Sequence, residues 1–161
     1  MDFTHCNLGS GVRLHLCETD KFNTVTCKMI IQQDLSRDTA AATALIPALV
    51  KRGSQKFPST RQIARELEYL HAAGFSSDVL KIGARQLLEF FFVMVDPSLL
   101  PGGEENWQRG LETFWDIATN PVTDGDAFVP EYFDQEKLNL RREVEGPSPA
   151  VISRGRGLLR C

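Results

Sequence analysis

The sequence predicts an α+β fold, an antiparallel sheet with helices packed on one face. Three observations lead there. Residues 84–95 carry apolar side chains at both alternating sets of positions, as in the central strand of a sheet. Residues 38–54 form an apolar stretch at helical spacing that stops at a glycine. Strands and helices come in groups, β-β-β, α-α, β-β, α-α, the order of antiparallel pairing with helices segregated to one side.

With 161 residues, 42% of them hydrophobic and 24% charged, the chain can bury one core. A net charge of −3 makes no electrostatic case for nucleic acid or an anionic membrane. No apolar run approaches the roughly 18–20 residues that span a bilayer. The first residues lack the basic and apolar regions of a secretory signal, so a cytoplasmic location is the default expectation. Cys6, Cys17, Cys27 and Cys161 show no C-x-x-C spacing, which favours reduced thiols over a metal or redox motif.

Residues 5–9 and 11–18 read as two strands around a Gly-Ser-Gly turn. Val12, Leu14 and Leu16 alternate with Arg13, His15 and Cys17, as in a half-buried strand. His15 and Cys17 share a face, with His5 and Cys6 within reach. Polar residues on the outer side of a strand explain them more simply than a metal site. Residues 22–33 form the next strand, with Val25, Cys27, Met29 and Ile31 on one face.

Ser36 is a candidate cap for the apolar helix. Ala41, Leu45 and Leu49, beside Ala42, Ile46 and Val50, mark a buried surface. Lys51 and Arg52 suit the negative end of the helix dipole, and Gly53 suits a left-handed stop. Pro47 is expected to kink this helix. Ser59 with Gln62 forms a capping box that opens a second helix. That helix turns Ile63, Leu67, Leu70 and His71 inward and ends at Gly74. Lone His71 reads as a helix-end residue favoured by the dipole rather than as a catalyst.

Residues 75–82 and 84–95 form a hairpin about Gly83. Leu88, Phe90, Phe92 and Met94 mark one side of the second arm; Leu87, Phe91, Val93 and Val95 mark the other. The second apolar side points to a partner surface or a covering segment. Glu104 and Glu105 open a helix that ends before Asn120-Pro121 and carries Trp107, Leu111, Phe114, Trp115 and Ala118 on one stripe. Pro130 opens the last helix, with Phe133, Leu140 and Val144 as its narrow apolar stripe. Glu136 and Glu143, seven residues apart, lie on nearly one face, with Lys137 and Arg141 as helix-spaced partners. One domain is expected over residues 1–146, followed by an irregular tail over 147–161.

Three segments together resemble the N-terminal half-domain of the M16 (pitrilysin/insulinase) peptidases. They are the hairpin Leu8-Gly-Ser-Gly-Val-Arg-Leu-His-Leu16, the apolar helix with Arg52-Gly-Ser54 and Phe57-Pro-Ser59, and Tyr132-Phe-Asp-Gln-Glu-Lys-Leu-Asn-Leu-Arg-Arg-Glu-Val144. The resemblance implies the LuxS/M16 metallohydrolase-like fold. Active members carry H-x-x-E-H on the first helix, where two histidines hold zinc, the acid activates water, and a glutamate of the late helix completes the site. Aligned on Gly53-Ser54, those three positions hold Ala44, Pro47 and Ala48. Glu143 matches the distal ligand and Glu136 its companion. The resemblance therefore implies an inactive homologue with no cofactor and a lost zinc site.

Such halves pair with a catalytic half around a peptide chamber. The implied partners are an active M16 homologue, a second copy of the chain, or peptides added at a strand edge. Lys51-Arg-Gly-Ser-Gln-Lys-Phe-Pro58 is most similar to the firmicute inactive type associated with elongation factor P 5-aminopentanol modification. Two alternatives stand beside this reading: a peptidase using His15, His71 and Glu143 as ligands, and a truncated product without independent function. The family continues its late helix where this chain turns into Pro147-Ser-Pro149, so an incomplete half-domain is expected.

Overall fold

The computed structural model describes residues 3–145. In chain order the elements are β1 (Thr4–Gly9), β2 (Val12–Leu16), β3 (Thr24–Asp34), α1 (Ala40–Val50), α2 (Thr60–Tyr69), β4 (Gly74–Ile82), β5 (Arg85–Val95), a 3-10 turn (Pro97–Leu99), α3 (Gly103–Thr119), β6 (Thr123–Asp124), β7 (Ala127–Phe128) and α4 (Pro130–Glu145). The expected tail at 147–161 lies outside the described residues. No described helix is long and apolar enough to cross a membrane.

The aromatic run of β5 is central, as its two-sided apolarity requires. The main sheet has the order β3-β5-β4, antiparallel throughout. Register places Val25, Cys27, Met29, Ile31 and Gln33 on the face that carries Gln86, Leu88, Phe90, Phe92 and Met94, with Phe75, Ser77 and Val79 from β4. Helices cover this face. Phe114 of α3 stacks on Phe92 with ring centroids 5.6 Å apart, and Val50 of α1 joins the same cluster with Leu70 and Ala73. Gly110 brings α3 down onto β5, since a Cβ there would sit 2.6 Å from the Met94 sulfur. Partial burial raises the pKa of the Cys27 thiol above its ordinary value, which favours the protonated form.

Four sequence expectations about the strands, helix ends and turns need correction here. First, among the described residues β1 and β2 pair only with each other and do not extend the main sheet, so Val12, Leu14 and Leu16 are exposed rather than half-buried. Alternation shows that a strand has two faces, not that either is covered. Second, α2 ends before Gly74. Leu70 caps it, and the chain reverses through His71 and Ala72 at φ of 58° and 61°, which leaves His71 exposed. The amide of Ala73 then donates to Leu67 O at 2.9 Å, which closes the helix end. Third, Trp115 is 60% exposed, because α3 rests on the sheet along Gly110, Thr113, Phe114, Ile117 and Ala118. Val144, at the end of its stripe, is exposed as well.

The fourth concerns Gly53, which does not take a left-handed conformation. It is small because the chain folds back on it: a Cβ would lie 2.7 Å from the carbonyl carbon and oxygen of Pro58. This turn is stitched to the end of α3, where Val122 N donates to Gly53 O and Gln55 N to Asn120 O. Gly53→Ala pushes backbone against backbone, and a loss of about 1–3 kcal/mol is expected. An unchanged thermal midpoint for the variant would contradict this account.

Glu66 and Arg109 were not singled out as a pair by the sequence. Glu66 is buried on α2, and Arg109 of α3 reaches it with two hydrogen bonds, Nε to Oε1 at 2.6 Å and Nη2 to Oε2 at 2.7 Å. The guanidinium also lies 4.0 Å over the Tyr69 ring. Its hydrogen bond and charge hold the Glu66 carboxyl below the ordinary value of 4.5. A depressed folded-state pKa means the pair's stabilisation is complete above the unfolded-state value and fades as pH falls through the folded-state value. Glu66→Gln should cost about 1–2 kcal/mol at neutral pH, less than a fully buried pair because the Arg109 side chain is 43% exposed. The gap between wild type and variant should close in acid. Urea midpoints at neutral and acid pH measure it, and a gap that does not shrink rules this account out.

Candidate functional site

The N-terminal half of α1 is held to the sheet by a polar network. Gln33 Nε2 donates to Thr43 Oγ1 at 2.6 Å and to Gln86 Oε1 at 3.3 Å, and Gln86 Nε2 donates to Ala40 O at 3.2 Å. Thr39, not Ser36, occupies the N-cap position, with no side-chain cap bond. The network substitutes for it: Ser36 O still accepts from Ala40 N, and its hydroxyl accepts from Asp38 N at 3.3 Å.

The helix continues through Pro47, which is buried. Ser77 Oγ of β4 donates to Pro47 O at 2.6 Å, tying the middle of α1 to the sheet's edge strand. Pro47, expected from the resemblance to stand where the family has its acid, is a packing residue with its carbonyl engaged. Ala44 and Ala48 are half-buried one turn apart on the same helix.

α4 packs against α1, and Glu136 marks the join. Arg52, just past the end of α1, pairs with Glu136: Nε donates to Oε1 at 2.5 Å, and a second guanidinium nitrogen contacts the same oxygen. Asn139 Nδ2 donates to the other oxygen at 3.2 Å, and the guanidinium stands 5.8 Å over the Tyr132 ring. The expected helix-spaced partners of Glu136 do not hold it; Arg141 pairs instead with Glu145. Glu143 is exposed in the last turn of α4, on nearly the same face as Glu136.

This donor set does not fit zinc. Ala44, Pro47 and Ala48 offer no side-chain donor atom, the Thr43 hydroxyl is engaged by Gln33, and the Glu136 carboxylate is engaged by Arg52 and Asn139. Glu143 remains, and one carboxylate does not make a zinc site. The alternative ligands are not brought together either. His15 lies on β2, His71 in the turn after α2 and Glu143 at the end of α4. No group of three His, Cys, Asp or Glu among the described residues could hold a metal ion.

The sheet face away from the helices is where Leu87, Phe91, Val93 and Val95 lie, all half-exposed. Register adds Ile30 from β3 and Leu80 and Ile82 from β4, all exposed. The Lys28–Glu89 ion pair, at 2.9 Å, divides this face into two apolar areas. A separate groove of about 680 Å³ runs between β2, β3 and α3, lined in part by Leu14, Leu16, Leu111 and Trp115. Nothing in the residue pattern pointed to this groove, because it arises where the first hairpin meets β3 and α3.

No family profile matches the chain. Among curated proteins, the chain is 27% identical over 135 residues to the protein described as probable inactive metalloprotease YmfF of Bacillus subtilis strain 168. The match covers 84% of this chain and 32% of that protein. Among solved structures, a conserved protein from Enterococcus faecalis V583 superimposes with a TM-score of 0.84 over 90% of this chain and 34% of its own, at 23% identity. That likeness establishes the fold. The chain thus spans about a third of the length of these two proteins. The chain is similar in sequence to a protein described as a probable inactive metalloprotease and similar in fold to the Enterococcus protein, and the described residues hold no metal-binding group of three His, Cys, Asp or Glu.

Proposed function

We propose that the chain serves as a non-catalytic M16-type half-domain that pairs with an active zinc peptidase homologue and helps it hold peptides. The observation that carries this reading is the state of α1. Its ligand positions are Ala44, Pro47 and Ala48, yet its packing is kept by Ser77, Gln33 and the Arg52–Glu136 pair. A helix retained without its chemistry supports a role in shape and contact. The partner surface is the sheet face of Leu87, Phe91, Val93 and Val95, whose apolar area favours a protein neighbour over water. Among the described residues, strands β3 and β4 each have one unpaired edge in the main sheet, where an extended peptide can add by backbone hydrogen bonds. The finer assignment to the type associated with elongation factor P modification rests on Lys51–Pro58 alone.

The test is to mix the chain with an H-x-x-E-H homologue encoded in the same genome and follow their elution. The two should co-elute, and Leu87→Asp, with its circular dichroism unchanged, should abolish the complex. Separate elution of the folded partners at micromolar concentration overturns the pairing. Self-association lost in the same variant would assign the face to a second copy instead. Stoichiometric zinc lost in Glu143→Gln but kept in a His5→Ala/His15→Ala variant would overturn the non-catalytic reading.

A further inference from the structure

We propose that His5 and His15 form a two-histidine site for a late first-row divalent metal ion, Zn²⁺ or Cu²⁺, that clips β1 to β2. The two residues are direct cross-strand partners. Their Nδ1 atoms approach to 2.7 Å, with the ring planes 77° apart and centroids at 4.7 Å. Two bare nitrogen lone pairs repel at that distance, and so do two N–H groups. One ring therefore donates its Nδ1–H and the other accepts, and both Nδ1 positions aim at one point.

A metal ion can take the place of that proton. The donor ring moves its proton to Nε2 through solvent, so both rings stay neutral and both Nδ1 lone pairs face the metal. At metal–nitrogen distances of about 2.0–2.1 Å, tetrahedral angles separate the two nitrogens by about 3.3–3.4 Å. The pair then opens by roughly 0.6–0.7 Å, a small side-chain rotation for two exposed residues on a hairpin. Imidazole suits Zn²⁺ and Cu²⁺, and Cu²⁺ binds a given nitrogen set more tightly. Among the described residues no third His, Cys, Asp or Glu completes the set, so water fills the remaining positions. The affinity is accordingly below that of a four-ligand structural site.

The hairpin has a use for such a clip. Among the described residues it pairs with no other strand, and Leu8, Val12, Leu14 and Leu16 are exposed. A two-stranded hairpin alone is marginally stable in water. Joining positions 5 and 15 holds the strands in register on the rim of the groove that Leu14, His15 and Leu16 line. This site is separate from the α1–α4 region and shares no residue with it.

The test is Zn²⁺ and Cu²⁺ titration of the untagged, reduced chain at neutral pH. One site per chain is expected. His5→Ala and His15→Ala should each weaken it by roughly tenfold or more, and His71→Ala should leave it unchanged. Hydrogen exchange at residues 4–16 should slow on metal addition in wild type and not in His15→Ala. Binding that follows Cys6→Ser/Cys17→Ser rather than the two histidine variants overturns the proposal, as does no binding of either ion.

Discussion

Phe92→Ala is expected to lower the free energy of unfolding by about 3–5 kcal/mol. Phe92 has no exposed surface, lies on the central strand and stacks on Phe114, so the cavity would open where β5 and α3 meet. The backbone there cannot close the gap, because β5 is bonded to β3 on one side and β4 on the other. Domains have a total stability of about 5–15 kcal/mol, so the variant should unfold at a much lower urea concentration. Phe91→Ala, one residue away on the half-exposed face, should lose less than half as much. Equal losses at the two positions would contradict the one-sided core.

Placing histidines at two positions of α1 is expected to create a zinc site. In the His5→Ala/His15→Ala background, Ala44→His with Ala48→His puts two imidazoles on one helix face, and Glu143 supplies the carboxylate from α4. One zinc ion per chain should be retained at micromolar concentration, against none in the parent. Glu143→Gln should weaken binding roughly tenfold or more. No peptidase activity should accompany the metal, because Pro47 offers no group to activate water. A correctly folded double variant that takes up no zinc would mean that α4 does not present Glu143 to α1, and the alignment on Gly53-Ser54 would be wrong.

Local signals in the chain proved informative where the cause is local. Ser59 caps α2 by accepting from Gln62 N, the first half of the expected capping box; in place of the reciprocal backbone bond its hydroxyl donates to Gln62 Oε1 at 2.9 Å. Two-sided apolarity correctly placed β5 in the centre of the sheet. Pro130 opens α4 and Glu104 and Glu105 lie in the first turn of α3. What escaped the sequence depends on meetings between distant segments. Glu66 and Arg109 are 43 positions apart, Arg52 and Glu136 are 84 apart, and Gln33 meets Gln86 across 53. Each looks like an ordinary surface residue until the fold gives it a partner. Gly53 misled for a related reason: a helix-stop glycine and a glycine under a returning backbone look identical in one dimension. That Ala44, Pro47 and Ala48 offer no ligand atom was readable from their side chains alone. That Glu136 is taken up by Arg52 was not.

The order β3-β5-β4 also sets a schedule for assembly. β4 and β5 are joined by a short turn at Gly83, so their pairing closes a small loop and can form early. β3 is different: Asp34 pairs with Arg85 only after α1 and α2 have been looped out between them. That contact carries the larger chain-closure entropy, which makes the docking of β3 the slow step. Until it docks, the most apolar strand of the protein has one bare edge in water, a template for another chain. Pulse-labelled hydrogen exchange during refolding should protect β4 before β3, and aggregation should be worst in the interval between the two.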